Sequence, residues 1–318
     1  MNRSEMVDDS VMRIAIVGAG GVGGYFGGRL AAAGADIIFL ARGRHLQALR
    51  TSGLHIASPK GNLHLPGVNA TDDPATIGRV DVVFFAVKLY DNASATRLLP
   101  PLVGPDTVVI PFQNGIGSVD LLTHTVGRVH VAGGVAYVSA VIVEPGVIRH
   151  AAVDRLVFGE LDGTRTPRLE RLLEACRAAG FQATLSDHIE IDIWSKFVHL
   201  SAFSGMTAVT RLPIEPLRDD PDLFAMYQAA VMEAMAVARA QGVALTAQVF
   251  DEAITAAHKL PPNTKSSMLE DLERGKPLEL PWLSGAVVRI GSEVGVATPI
   301  HHFIATVLKP HVTGAVAR

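Results

Sequence analysis

The segment MRIAIVGAGGVGGYFGGRLAAAGADIIFLAR, residues 12–42, constrains the fold more than any other part of the chain. It reads as a short apolar strand, a glycine turn, an alanine-rich helix and a second apolar strand, which together make one βαβ unit. Gly18, Gly20 and Gly23 stand at G-x-G-x-x-G spacing, with Ala19, Gly21 and Val22 between them. In that setting the first glycine permits the tight turn, the second lets a pyrophosphate approach the backbone, and the third lets the helix pack on the strand. The helix N-terminus adds free N–H groups and partial positive charge. Residues 18–23 are therefore expected to bind a dinucleotide, against the plainer reading of a glycine-rich packing turn.

The alternation continues through DVVFFAVK (81–88), TVVIPFQNG (107–115) and RVHVAGGVAYV (128–138), each read as a buried strand. GLHIASPKGNLHLPG (53–67) reads as a small hairpin insertion, and GVIRHAAVDRLVFGE (146–160) as antiparallel strands at the far side of the sheet. Beyond FQATLSDHIE (181–190) strand-like runs nearly vanish, and helices are expected at 188–210, 221–241, 246–258, 265–274, 282–295 and 299–309. The pattern predicts an α/β chain: an N-terminal Rossmann-type, doubly wound, mostly parallel sheet followed by an all-α domain. The expected divisions are a flexible tail at 1–11, a dinucleotide-binding domain at 12–187 and a helical substrate and catalytic domain at 188–318.

Composition narrows the partners. The 318 residues are 48% hydrophobic and 19% charged with a formal net charge of −3, which argues against disorder and against a basic field for nucleic acid. A small molecule is the expected partner. Cys176 is the sole cysteine, which excludes an intrachain disulfide framework and fits a reducing compartment, and it reads as an inert helix residue. MNRSEMVDDS does not resemble a secretory signal, and no run reaches the roughly 18 apolar residues of a membrane span. A soluble, cytoplasmic protein without membrane association is expected. His199, His301 and His302 lack an accompanying acid or cysteine cluster at metal spacing, so no metal is assigned. Oligomeric state is not legible in the pattern, with a homodimer as the assembly considered.

The second strand of the unit ends in FLARGRHL, with Arg42 and Arg44 and no nearby acid. An acid there would accept from the ribose 2′-hydroxyl of NAD, whereas a guanidinium pairs with the 2′-phosphate of NADP, so NADP(H) is the expected cofactor. Lys196 lies in the mostly apolar WSKFVHLSAFSGMTA, residues 194–208. An ammonium in such a segment is costly unless it is paired or performs chemistry, although its stem can also snorkel to water. Glu279 alone reads as an exposed residue opening a helix, Asn114 as the turn residue of an Asn-Gly pair, and Ser267 as a helix start or cap.

Taken in order, the glycine loop, AVK ending at Lys88, QNGIG with Asn114, WSKF with Lys196 and SSMLEDLERGKPLE with Ser267 and Glu279 resemble the ketopantoate reductases, the NADPH-dependent 2-dehydropantoate 2-reductase family. The resemblance runs from residue 12 to about residue 300. It implies a cleft active site between two domains and reduction of 2-dehydropantoate to (R)-pantoate for pantothenate and coenzyme A synthesis. It further implies that Arg42 and Lys88 contact the adenosine phosphate region, and that Asn114 lies near the nicotinamide ribose and substrate. Lys196 matches the catalytic lysine, Glu279 the active-site glutamate, and Ser267 a residue that holds substrate. Many members continue the lysine as K-x-x-x-N-x-x-x-N, a spacing that stacks the three side chains on one helix face. Here those positions are Leu200 and Ser204, the latter taken as a substrate contact. A paralogue reducing a different 2-oxo acid is therefore an open alternative. A non-catalytic NADP-binding regulatory protein is a further one.

Overall fold

The protein, here a computed structural model, is described over residues 11–315. The tail expected at 1–11 lies outside that range except for Val11, which is exposed. The chain divides into two compact units, one running to Gln113 and resuming over Ser118–Ile189, the other made of Asn114–Gly117 and the chain from Glu190 onward.

The first unit opens with β1 (Arg13–Val17), α1 (Gly21–Ala32) and β2 (Asp36–Leu40), the βαβ element read from the sequence. It continues with α2 (Gly43–Ser52), the β3–β4 hairpin (Leu54–Ala57 and Leu63–Leu65), β5 (Asn69–Thr71), β6 (Val82–Phe85), α3 (Asn92–Ala95), β7 (Val108–Pro111) and α4 (Ser118–Val126). β8 (Ala132–Glu144), β9 (Val147–Glu160), α5 (Pro167–Ala178) and β10 (Gln182–Leu185) complete it.

Five strands form a parallel sheet in the order β5-β2-β1-β6-β7. β1 is apolar throughout its centre because both of its faces are covered. Ile14 and Ile16 share a core with Tyr25, Phe26 and Leu30 of α1, while Ala15 and Val17 share another with Leu99, Leu102 and Leu122. The chain winds to β2 on one side of β1 and to β6 on the other, so the carboxyl ends of β1 and β6 flank the switch point where such sheets take ligands. Three single helical turns accompany α3 between β6 and β7, where Pro100 and Pro101 prevent one continuous helix.

The remaining strands correct part of the sequence reading. Residues 128–138 do not add a strand to the parallel sheet: Arg128–His130 form a helical turn, and β8 pairs antiparallel with β9. Val131 pairs with the parallel sheet as an isolated bridge to Val109 and packs in the core beside Ala15, Val17 and Val83. β9 pairs in turn with β3 and β10, making a second, mixed sheet rather than a far edge of the first. α1 packs against both sheets, and Gly21 shows how closely: a Cβ there would collide with the Ala140 carbonyl oxygen of β8. Cys176 is fully buried on α5, and burial pushes its thiol well above the ordinary range, leaving it protonated.

The second unit contains α6 (Ile189–Thr210), α7 (Ile214–Asp219), α8 (Pro221–Ala240), α9 (Gln248–Lys259), α10 (Ser267–Glu273), α11 (Ser284–Val294) and α12 (Pro299–Leu308). α7 is too short to have shown a periodicity in the sequence. Phe197, Val198 and Met206 of α6 pack in one core with Tyr227 and Val231 of α8, Val287 of α11 and Ile304 of α12. Asp220 caps α8 by accepting from the Asp222 and Leu223 N–H groups. Glu233 does the same for α12, accepting from Ile300 and His301 at 2.8 and 3.0 Å. The His301 ring is spent on structure as well, donating from Nε2 to the Ala230 carbonyl. No helix among the described residues is long and apolar enough to cross a membrane.

Candidate active site

In the first unit the glycine loop joins β1 to α1. Gly18 takes φ +101°, the left-handed turn that a side chain would strain. At Gly23 a Cβ would collide with the Gly18 carbonyl oxygen and the Ile16 side chain, so glycine is what lets α1 sit on β1. At Gly20 the outcome is opposite: a Cβ would meet nothing within 4 Å. That open side, at the N-terminus of a 12-residue helix, fits a pyrophosphate that needs backbone contact. Ala19 is buried and Val22 half-buried beneath the loop.

Arg42 stands two residues beyond the end of β2 and Lys88 three residues beyond the end of β6, so both lie at the carboxyl end of the parallel sheet with the glycine loop. Arg42 donates from Nη2 to Asp91 Oδ1 at 2.6 Å, and the Lys88 carbonyl accepts from the Asp91 N–H at 2.8 Å. Asp91 is a partner the sequence did not flag. The Arg42 side chain is 74% exposed, and an exposed pair of this kind is weak, so its remaining guanidinium donors stay available to an anion. Arg44 is exposed on α2. Gln113 was also missed; its Nε2 donates to the Val87 carbonyl and to Asn92 Oδ1, each at 2.7 Å, fixing the ends of β6 and β7 against each other.

In the second unit α6 carries the lysine. Lys196 Nζ donates to Asn114 Oδ1 at 3.0 Å, a contact that joins residues 82 apart in sequence. Burial disfavours its charged form and lowers its pKa to about 8, with the Glu279 carboxylate pulling the other way. Glu279 itself is only 6% exposed and precedes the single turn Leu280–Trp282, which rules out the reading of an exposed residue opening a helix. Asn114 and Glu279 thus both act on Lys196, although the three come from separate stretches of sequence.

His199, one turn further along α6, bonds through Nδ1 to the Tyr227 hydroxyl at 2.8 Å and stacks on Phe203. Its pKa falls to about 4, mainly through burial and in part through the Lys196 charge, so the ring is neutral beside the ammonium. Tyr227, an aromatic in an alanine-rich helix, gave no sequence signal. Leu200 is partly exposed, and Ser204 is buried with no hydrogen-bond partner for its hydroxyl among the described residues. Ser266, rather than Ser267, caps α10: its Oγ accepts from the Leu269 N–H and meets Thr207 Oγ1 of α6 at 2.7 Å. Ser267 is the first helical residue and is exposed.

The arrangement offers a proton donor suited to acid catalysis. A positioned ammonium whose pKa lies near 8 can stabilise charge growing on a carbonyl oxygen and then protonate it. Comparison with known proteins agrees with this. Residues 14–163 match the family described as ketopantoate reductase PanE/ApbA, and residues 188–312 match its C-terminal family. An "Uncharacterized oxidoreductase YkpB" of Bacillus subtilis (strain 168) is 33% identical over 91% of this chain and 95% of its own. A 2-dehydropantoate 2-reductase of Mesorhizobium japonicum is 32% identical over 91% of this chain and 94% of its own. The crystal structure of a PanE/ApbA family ketopantoate reductase from Ralstonia eutropha JMP134 superposes with a TM-score of 0.87 at 32% identity, covering 94% of this chain and 98% of that one. Two matched family regions, spanning most of the chain and carried on this fold, establish that the protein belongs to the ketopantoate reductase family.

Proposed function

We propose that this protein is a cytoplasmic NADPH-dependent reductase of 2-oxo acids, with 2-dehydropantoate as its first candidate substrate and (R)-pantoate, for pantothenate and coenzyme A synthesis, as the product. The observation that carries the reading is Lys196, an ammonium held by Asn114, influenced by Glu279 and brought by burial to a pKa of about 8. Residues 12–187 are assigned the dinucleotide and residues 188–318 the substrate and the acid. Gly18–Gly23 would take the pyrophosphate, and Arg42 and Lys88 the 2′-phosphate region. When bound, the nicotinamide supplies hydride to the 2-oxo carbon. Lys196 Nζ holds the carbonyl oxygen, stabilises its negative charge and gives it a proton, afterwards regaining one from solvent. Glu279 keeps the lysine protonated more often than burial alone would allow, and Asn114 fixes the direction of Nζ.

Purified protein with NADPH should reduce 2-dehydropantoate or a branched 2-oxo acid. Absence of turnover across such a panel sinks the proposal. A second reading, a paralogue for a less polar 2-oxo acid, is favoured by Leu200. It places an apolar, partly exposed side chain one turn from Lys196, where it can offer no hydrogen bond to a substrate hydroxyl. Ranking kcat/KM across the panel separates the two readings.

A further inference from the structure

The His45 ring on α2 links two parts of the first unit that are far apart in sequence. Its Nε2 lies 2.8 Å from the Ala19 carbonyl oxygen in the glycine loop, and its Nδ1 accepts from the Gly146 N–H at 3.0 Å. A backbone N–H can only donate and a carbonyl can only accept, so the ring must be the neutral form protonated on Nε2. Burial favours this state by lowering the His45 pKa, against the opposing pull of the Ala19 carbonyl. Gly146 is held on its other side too, since its carbonyl accepts from the His55 N–H of β3 at 2.8 Å. A continuous series of hydrogen bonds thus runs from β3 through Gly146 and the imidazole to the carbonyl of Ala19.

The peptide between Ala19 and Gly20 is planar, and in the trans form its C=O and N–H point in opposite directions. Fixing the Ala19 carbonyl toward His45 therefore fixes the Gly20 N–H away from it. Gly20 is the loop position whose surroundings are open, with nothing within 4 Å of where a Cβ would stand. We infer that His45 is a positioning residue that sets the plane of the Ala19–Gly20 peptide and so aims the Gly20 N–H at the pyrophosphate of the dinucleotide. This rests on the dinucleotide reading of the loop given above. His45 touches neither substrate nor cofactor in this account; it acts through Ala19. The same ring anchors α2, the helix that Arg42 immediately precedes, to the loop, so both phosphate subsites share one support.

Substitutions can separate the two ends of the ring. In His45→Gln the amide nitrogen reaches about as far as Nε2 and can keep the bond to Ala19, whereas in His45→Asn the amide oxygen replaces Nδ1 and keeps only the bond to Gly146. NADPH affinity of the full-length protein, measured by fluorescence titration, should weaken about 3- to 10-fold in His45→Ala and His45→Asn, the span of one hydrogen bond, and by less than about 3-fold in His45→Gln. The kcat at saturating NADPH should stay within about 2-fold in all three, because the acid on α6 is untouched. Hydrogen exchange in the cofactor-free protein gives a second readout: amides of residues 18–24 should exchange faster in the Ala and Asn variants and stay near wild type in Gln. Equal NADPH affinity in wild type and His45→Ala, or better retention by Asn than by Gln, overturns the inference. If the wild type binds neither NADPH nor NADH, the dinucleotide reading itself is what fails.

Discussion

On the proposed reading, the glycine loop of the first unit and the Lys196 face of the second would prepare for a ligand by opposite means. The loop works with backbone: its specificity lies in where side chains are missing, at Gly18, Gly20 and Gly23, and in the direction of peptide groups. The α6 face works with side chains drawn from Asn114, Lys196, His199, Tyr227 and Glu279, held in a helical core where burial changes what they do. A backbone site tolerates little variation in shape but is indifferent to substrate chemistry. A side-chain site can keep one acid and change everything around it, which is the pattern seen where Lys196 is followed at one and two turns by Leu200 and Ser204.

The sharpest way to break this comparison is Lys196→Met. It should lower kcat/KM for 2-oxo acids about 10²- to 10⁴-fold, the usual contribution of a general acid, while NADPH affinity by fluorescence titration stays within about 2-fold. Loss of both together would mean that the two sites are not divided as described. Glu279→Gln should cost about 10- to 100-fold in kcat/KM. It should also move the alkaline fall of the pH–rate profile to lower pH, because the carboxylate is what raises the lysine's pKa against burial. A profile that stays in place would remove Glu279 from the lysine's surroundings.

On the loop, neighbouring glycines should behave differently. Gly21→Ala drives a Cβ into the Ala140 carbonyl and should lower stability by about 1–3 kcal/mol in denaturant unfolding, the cost of overpacking. Gly20→Ala meets no protein atom within 4 Å, so it should leave stability within about 1 kcal/mol and instead weaken NADPH binding. Equal stability losses in the two variants would contradict the assignment of Gly20 as the open side. The smallest effect is expected from Leu200→Asn with Ser204→Asn, which should shift the kcat/KM ratio between 2-dehydropantoate and an unhydroxylated 2-oxo acid by about 10-fold toward the former.

The same contrast explains what was legible in the sequence. The βαβ unit and its glycine loop depend on a run of about thirty consecutive residues, so spacing alone exposes them. The long helices of the second unit show through their apolar runs and proline boundaries. β8 misled because Ala132–Ala136 are all buried, as a parallel strand would be, and burial does not reveal which strand pairs with it. Its true partner, β9, and the position of α1 against a second sheet depend on contacts that local pattern does not encode. At the candidate site, Lys196 and Glu279 were found through motif order; their separate neighbourhoods read equally well as a snorkelling lysine and a helix start. Asp91, His45, Gln113 and Tyr227 went unnoticed because each matters through hydrogen bonds to residues distant in sequence, and such bonds leave no periodic signal. Ser266 and Ser267 are adjacent, and only the geometry of α10 shows which of them is the cap.

The central claim, that Lys196 is the proton donor of a reductase, is tested most directly by kcat/KM against pH for a reduced 2-oxo acid at saturating NADPH. A donor with a pKa of about 8 is charged below that value and loses its proton above it. The rate should therefore be level on the acid side of about pH 8 and fall about tenfold per pH unit above it, with that fall abolished in Lys196→Met. A wild-type profile that stays level through pH 10, or the same alkaline fall persisting in the residual activity of Lys196→Met, would contradict it.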